Sequence, residues 1–407
     1  MNPRWKEPTW VHVAAALVAG VVVTATVFVL VWPEPAPDQV AVTVPSVPAS
    51  PEVAPLEELT ELPTETSPTP EETDEPDETE DPEEEEQEEP TEAALLPDAR
   101  PAGQGPLPSD EPVDCPEATM DVTDASSLQA ALDMAGPGET IVLADGRYEG
   151  HFVTTQSGTA SEPVFLCGSP DAVLDGGSVE DDGYTFHLDG AQHWRLVGFS
   201  VTGGQKGVMA DNTVGSVIQG LTVAGVGDEA IHLRSNSTDN LVLDNTISDT
   251  GLREQDYGEG IYIGSAVSNW CTYTDCEPDR SDRNVVKGNT ISATTSEPVD
   301  IKEGTTGGAL MDNVFDGSSM TEADTWVNLK GNNYLVEGNR GTSASENGFE
   351  THDILPGWGD FNVFRDNSGS VDGSGYGIAS WPEGSNVVDC SNDLGDAAEG
   401  LSNIDCT

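Results

Sequence analysis

Basic residues are scarce in this chain: 15 Lys and Arg stand against 74 Asp and Glu in 407 residues. Such a surface repels nucleic acid and anionic membrane, which excludes DNA and RNA as partners. Aromatic residues are also few, at 6%, while glycine is abundant, with 43 residues. That balance suits a fold with many tight turns and disfavours a helical bundle. None of the six cysteines has the CxxC spacing of a zinc or redox site. Their even number fits an oxidising compartment. Short loops pair Cys271 with Cys276 and Cys390 with Cys406, leaving Cys115 for Cys167; free buried thiols are the alternative.

Residues 11–32 form an uncharged run, long enough to cross a bilayer as a helix. Arg4 and Lys6 precede it, so the positive-inside rule places residues 1–10 in the cytoplasm and everything later outside. Trp5, Trp10 and Trp32 sit near the ends of the run, where interfacial aromatics belong. A cleaved signal peptide, giving a secreted protein, is the competing expectation. The run is longer than such a peptide needs and no small-residue cleavage site follows it.

Residues 33–112 form a Pro-, Glu- and Thr-rich linker with 25 acidic residues and one basic residue, Arg100. It has too little apolar content for a core, its like charges repel, and disorder is expected. Pro-rich chain extends by about 3.1 Å per residue, so this stretch could reach on the order of 250 Å. Its Thr/Ser-Pro segments also permit O-glycosylation.

Residues 113–407 carry the folded domain. Leu128, Ala131, Leu132 and Ala135 have helical spacing, and Gly136-Pro137-Gly138 ends that helix. Such a helix would cap the open end of a solenoid. From about Leu174 the sequence repeats. One register is a short strand: "GVMAD" (207–211), "AIHLR" (230–234), "GIYIG" (260–264), "PVDIK" (298–302), "WVNLK" (326–330), "GFETH" (348–352) and "GIASW" (377–381). A second register is a turn carrying Asn245, Asn289, Asn313, Asn339 and Asn367, whose side chains can bond up and down a stack. Strand and turn repeating every 20–40 residues without long helices predict an all-β, single-stranded parallel β-helix.

The capping segment, the "GNTI/DNVF" turns and the stacked strands resemble the pectate-lyase-like right-handed parallel β-helix superfamily, over everything after the linker. That superfamily includes lyases, hydrolases, epimerases and non-catalytic adhesins, so the resemblance implies a fold more than an activity.

Side chains alternate along a strand. Alignment of the repeats points Val208, Ile231, Ile261, Val299, Val327, Phe349 and Ile378 inward, with Ala210, Leu233, Ile263, Ile301, Leu329, Thr351 and Ser380. Two outward columns remain. The first runs Met209, His232, Tyr262, Asp300, Asn328, Glu350, Ala379. The second runs Asp211, Arg234, Gly264, Lys302, Lys330, His352, Trp381. The domain has only twelve basic residues, and three fall in the second column. A salt-bridged face without function is the plainer explanation. Just before these strands lie Asp228, Glu229, Asp256, Glu259 and Glu297, with Glu303 following; converging carboxylates of this kind suit Ca²⁺.

The segment "SEPVDIKEGTTGGALMDNVFDG", followed by "DTWVNLKGNNYLVEGNR", resembles the catalytic coils of alginate-lyase- and chondroitinase-B-like polysaccharide lyases. The resemblance implies Lys302 as base and Lys330 as second basic residue, where that family usually has Arg. It implies Glu259, Glu297 and Asp300 as calcium ligands. The expected chemistry is β-elimination on a uronic acid, with the sugar carboxylate neutralised. Lys302 would have a pKa lowered by Lys330 and Arg234. Arg234 and His352 are further catalytic candidates. Tyr262, Asn328, Trp381 and His232 are candidates for binding substrate, with Trp358 as a further stacking face. The same site could run as a C5-epimerase. Asp300 and Glu350, two coils and so roughly 9–10 Å apart, are the catalytic pair if the protein is an inverting glycoside hydrolase. A cell-surface protein that binds glycan without catalysis is the non-enzymatic alternative. A monomer is expected.

Overall fold

The computed structural model describes residues 106–381 and 385–407. The run 11–32 and the acidic segment before residue 106 lie outside the described residues. Among those described, no helix is long and apolar enough to cross a membrane.

Gly- and Asn-marked turns break the chain into two-to-six-residue strands that, after the first two, do not pair with their sequence neighbours. Each strand instead pairs in parallel with the strand one coil earlier and one coil later. Three sheets result. Sheet I has 11 strands, from Met120–Val122 to Val387–Val388. Sheet II has ten, from Gly146–Glu149 to Asp393–Gly395, and sheet III has ten, from Phe152–Thr154 to Gly400–Ser402. This is the single-stranded parallel β-helix that the repeats predict. The helix Ala125–Met134 packs against its first coil, two residues longer at its N-terminus than the apolar spacing suggests. Asp124 extends it by accepting the Ser127 N–H, while Ser127 caps in return.

All fourteen residues expected to point inward from sheet III are at most 1% exposed. The register matches as well: Met209, His232, Tyr262, Asp300, Asn328, Glu350 and Ala379 are successive partners. The interior is aromatic toward the later coils, where Phe349 contacts Phe315, Trp326 and Phe364. Gly341 leaves the room that Trp326 occupies, since a Cβ there would lie 2.3 Å from the indole.

The asparagine turns form a continuous ladder. Each side-chain amide from Asn245 through Asn289, Asn313, Asn339 and Asn367 donates to the next asparagine, ending at Asn392. The residue before each rung is left-handed, and it alternates: Asp244, Gly288, Asp312, Gly338, Asp366. The alternation has a steric cause. A Cβ at Gly288 would meet the Asp244 carboxylate, and one at Gly338 would meet that of Asp312. Each aspartate fills the space that the next coil's glycine leaves open.

All three expected disulfides form: Cys115–Cys167, Cys271–Cys276 and Cys390–Cys406. The first anchors a strap that the linker composition does not announce. Leu107 and Val113 pack on an outward apolar patch of sheet I made by Val217, Leu241, Leu243, Val285 and Ala309. Val113 bonds the Gln219 side chain through both its N–H and its carbonyl. Asp110 pairs with Lys287.

Candidate functional site

The outward face of sheet III divides into two stretches. The earlier coils line a cleft of about 220 Å³ whose walls include Tyr184, Lys206, His232, Arg234, Tyr262 and Tyr273. Its cations are each matched to a carboxylate. Lys206 pairs with Glu229, Arg253 with Asp228 at 2.5 Å, and Arg234 with Asp211 at 2.8 Å. Arg234 also lies under the Tyr273 ring, 3.9 Å from its centroid. Tyr273 sits on an insertion closed by Cys271–Cys276, which stretches the ladder spacing from 24 to 44 residues at this coil. Glu303 holds the insertion by accepting the Val267 N–H at 2.6 Å.

The next coils are built differently. Asp300, 1% exposed, takes Lys302 Nζ on one oxygen at 2.5 Å and Lys330 Nζ on the other at 2.8 Å. Burial pushes the Asp300 carboxyl up, but the two lysines outweigh it and hold the group below the usual carboxylate range. The same contact corrects the expectation for Lys302. Burial favours its neutral form, yet Asp300 prevails and raises the ammonium above the ordinary lysine range. A carboxylate in direct contact outweighs a second lysine that itself points at that carboxylate. Lys302 also stands 4.9 Å from the centroid of Tyr262. Burial pushes the Tyr262 phenol well up, against the opposing pull of Lys302. His232 packs on Tyr262 at 4.4 Å and donates from Nε2 to the Gly264 carbonyl at 3.0 Å. Burial lowers its pKa, although Glu229 opposes this.

Of the wider acidic set, only Glu259, Glu297 and Asp300 converge, with one oxygen from each within 4.8 Å of the others. Asp228, Glu229 and Glu303 are committed to the partners named above, and Asp256 is exposed. Glu259 Oε2 is buried with no hydrogen-bond partner. Burial first, then Glu229, Asp300 and Glu297, push the Glu259 carboxyl well above its ordinary value. The triad is therefore an oxygen-only set, suited to a hard cation, in which two lysines already occupy Asp300 and Glu259 favours its proton.

The candidates on the later coils are linked. Asn328 donates to Glu297 at 3.1 Å and accepts from His352 Nδ1 at 3.0 Å. His352 Nε2 meets Glu350 at 2.8 Å. Arg234 is not part of this group; it lies two coils before Lys302, locked to Asp211. Trp381 is exposed one coil beyond His352, and Trp358 packs against Arg280 instead of lining the lysine column. Composition and repeat alignment missed Tyr184, Lys206 and Tyr273. The first two begin strands ahead of the aligned motif, and the third sits in the unrepeated insertion.

A family model described as periplasmic copper-binding protein (NosD) matches residues 147–351. The chain belongs to this family of β-helices. With it, the chain falls in the pectate-lyase-like right-handed superfamily. An alginate lyase from Paenibacillus sp. strain FPU-7 is 33% identical, with a TM-score of 0.66, covering 70% of this chain and 99% of that one. Pectate lyase Pel9A shares the fold at 14% identity and a TM-score of 0.50, covering 66% of this chain and 72% of that one. Among curated proteins none matches. The oxygen-only triad is the one grouping of three or more metal-ligating side chains among the described residues, and it lacks the imidazole and sulfur donors that suit copper.

Proposed function

We propose that the β-helix domain is a uronate-polysaccharide lyase. The observation that carries this is the Asp300 centre: two ammonium groups share one carboxylate beside a buried tyrosine, on the face where a linear chain can lie along the coil stack. Lys302 and Lys330 neutralise the carboxylate of the reacting sugar, which makes its C5 proton acidic enough to remove. Tyr262 takes that proton in its phenolate form, a minor species because burial raises the phenol well above its ordinary value against the pull of Lys302. The C4–O4 bond then breaks as the C4=C5 double bond forms, and the new phenol returns its proton to the leaving oxygen. Lys302 remains the key residue of the site, now as a charge-stabilising ammonium instead of the base. The 33% identity to an alginate lyase supports the substrate class.

Glu259, Glu297 and Asp300 are the residues that would hold a Ca²⁺ ion, which would supply further neutralisation of the sugar carboxylate. The inverting-hydrolase alternative needs a carboxyl of the pair that keeps its proton, and the two lysines hold Asp300 below the usual carboxylate range. An epimerase would use the same groups and differ in returning the proton to C5. The uncleaved anchor, extracellular placement and polysaccharide partner form one arrangement: a long acidic stalk carrying a glycan-degrading solenoid away from the membrane. The three disulfides fit an oxidising space.

The test is a panel of acidic and neutral polysaccharides given to the full-length chain. A lyase releases unsaturated sugars that absorb in the ultraviolet. Reducing ends without that absorbance would point to hydrolysis, and binding without product would leave the adhesin alternative.

A further inference from the structure

Glu297, Asn328, His352, Glu350 and Asn347 form one hydrogen-bonded row across three coils. Its donor pattern is determined from both ends. Glu297 only accepts, so Asn328 must present its NH₂ there and its carbonyl to His352 Nδ1. Glu350 accepts from Asn347 on Oε2 at 3.1 Å and meets His352 Nε2 on Oε1. Both imidazole nitrogens therefore face acceptors, and only imidazolium satisfies both. The ring is not sealed in: its side chain is 37% exposed. Lys330 precedes it in the column and exposed Trp381 follows. Asp353 follows it in the chain, and Arg280 packs on Trp358 in the loop after that.

We propose that His352 is the proton-dependent specificity residue for the acidic sugar adjoining the reacting one. This rests on the lyase function above. With its proton, His352 cancels Glu350 and keeps Asn328 oriented, so the path beyond Lys330 tolerates a second sugar carboxylate beside the Trp381 indole. Without it, Glu350 stands uncompensated in a domain already strongly acidic, and an anionic chain is repelled. Histidine is the side chain that makes this change between pH 5 and 8. Affinity for a polyuronate is thus full while His352 carries its proton and lost when it does not.

The experiment measures binding of a hexamannuronate and of neutral mannohexaose to the full-length chain carrying Tyr262→Phe, which prevents turnover. Hexamannuronate should bind at least 10-fold more weakly at pH 8 than at pH 5.5. Adding His352→Gln should give weak binding at both, and His352→Lys should restore tight binding at pH 8. Binding of hexamannuronate that is tight and equal at both pH values overturns the role of His352 and leaves the lyase standing. No hexamannuronate binding at either pH, or a preference for mannohexaose, overturns both.

Discussion

The two stretches of sheet III's outer face use the same residue types to opposite ends. In the earlier coils each cation has its own carboxylate: Lys206 with Glu229, Arg253 with Asp228, Arg234 with Asp211. In the later coils Lys302 and Lys330 divide one carboxylate between them. A one-to-one buried pair satisfies itself and leaves little field for a ligand. A shared carboxylate leaves both ammonium groups with N–H donors to spare for an incoming anion. Charged residues in a cleft therefore do not identify a reacting centre by their number. What identifies it is how their hydrogen bonds are divided.

The widest separation between the stretches should appear on mutation. Lys302→Ala should lower kcat by roughly 10³-fold, within the range for groups that act in proton transfer and charge stabilisation. Arg234→Met should act mainly through the fold. It leaves the half-buried Asp211 without its main partner, though still bonded to His187 and Ser235, at a cost of about 1–3 kcal/mol seen in thermal unfolding. An Arg234→Met protein that folds normally but has lost kcat would erase the distinction between the two stretches.

A smaller effect concerns pH. Burial pushes the Tyr262 phenol up, so its phenolate fraction, and with it kcat, should grow with pH without levelling off at neutrality. Since the ordinary tyrosine value is about 10, the rise should continue beyond that. KM for polyuronate should worsen in His352→Gln, which cannot carry the proton that the row around His352 calls for. A kcat plateau near pH 7 would move the base to an imidazole such as His232.

The smallest expected effect is that of chelation. EDTA should change the rate by less than about twofold, because both oxygens of Asp300 are already taken by lysines. A large loss reversed by Ca²⁺ would place an ion among Glu259, Glu297 and Asp300 and redraw the later stretch as a metal site.

The sheet register was readable because period-two alternation over seven strands leaves one consistent choice of inward side; slipping a strand by one residue would bury Asp300 or Lys302 in the core. The asparagine turns were readable for a related reason: one polar residue recurs where stacked amides can bond. The Asp/Gly alternation before them was visible as letters, but its cause appears only when coils are stacked. The triad Glu259, Glu297 and Asp300 came from proximity to the motif strands. The protonation of Lys302 could not be read, because it depends on which oxygen each lysine reaches, and repeat alignment places backbones and not side-chain ends. The insertion bearing Tyr273 carries no repeat at all, so alignment passes over it.

The strap over sheet I has a mechanical meaning. From Cys115 back to Leu107 it runs past Gln219 and Lys287 toward the later coils. Tension applied from the N-terminal side of residue 106 therefore enters the solenoid at those later coils. It must strip Leu107, then the Asp110–Lys287 pair, then the Gln219 clasp, one after another, before it loads the Cys115–Cys167 bond. A tether laid along the stack in this way yields by peeling and stops at a covalent lock on an early coil, so the coil carrying Lys287 and Lys302 bears the load only until the Asp110–Lys287 pair gives way.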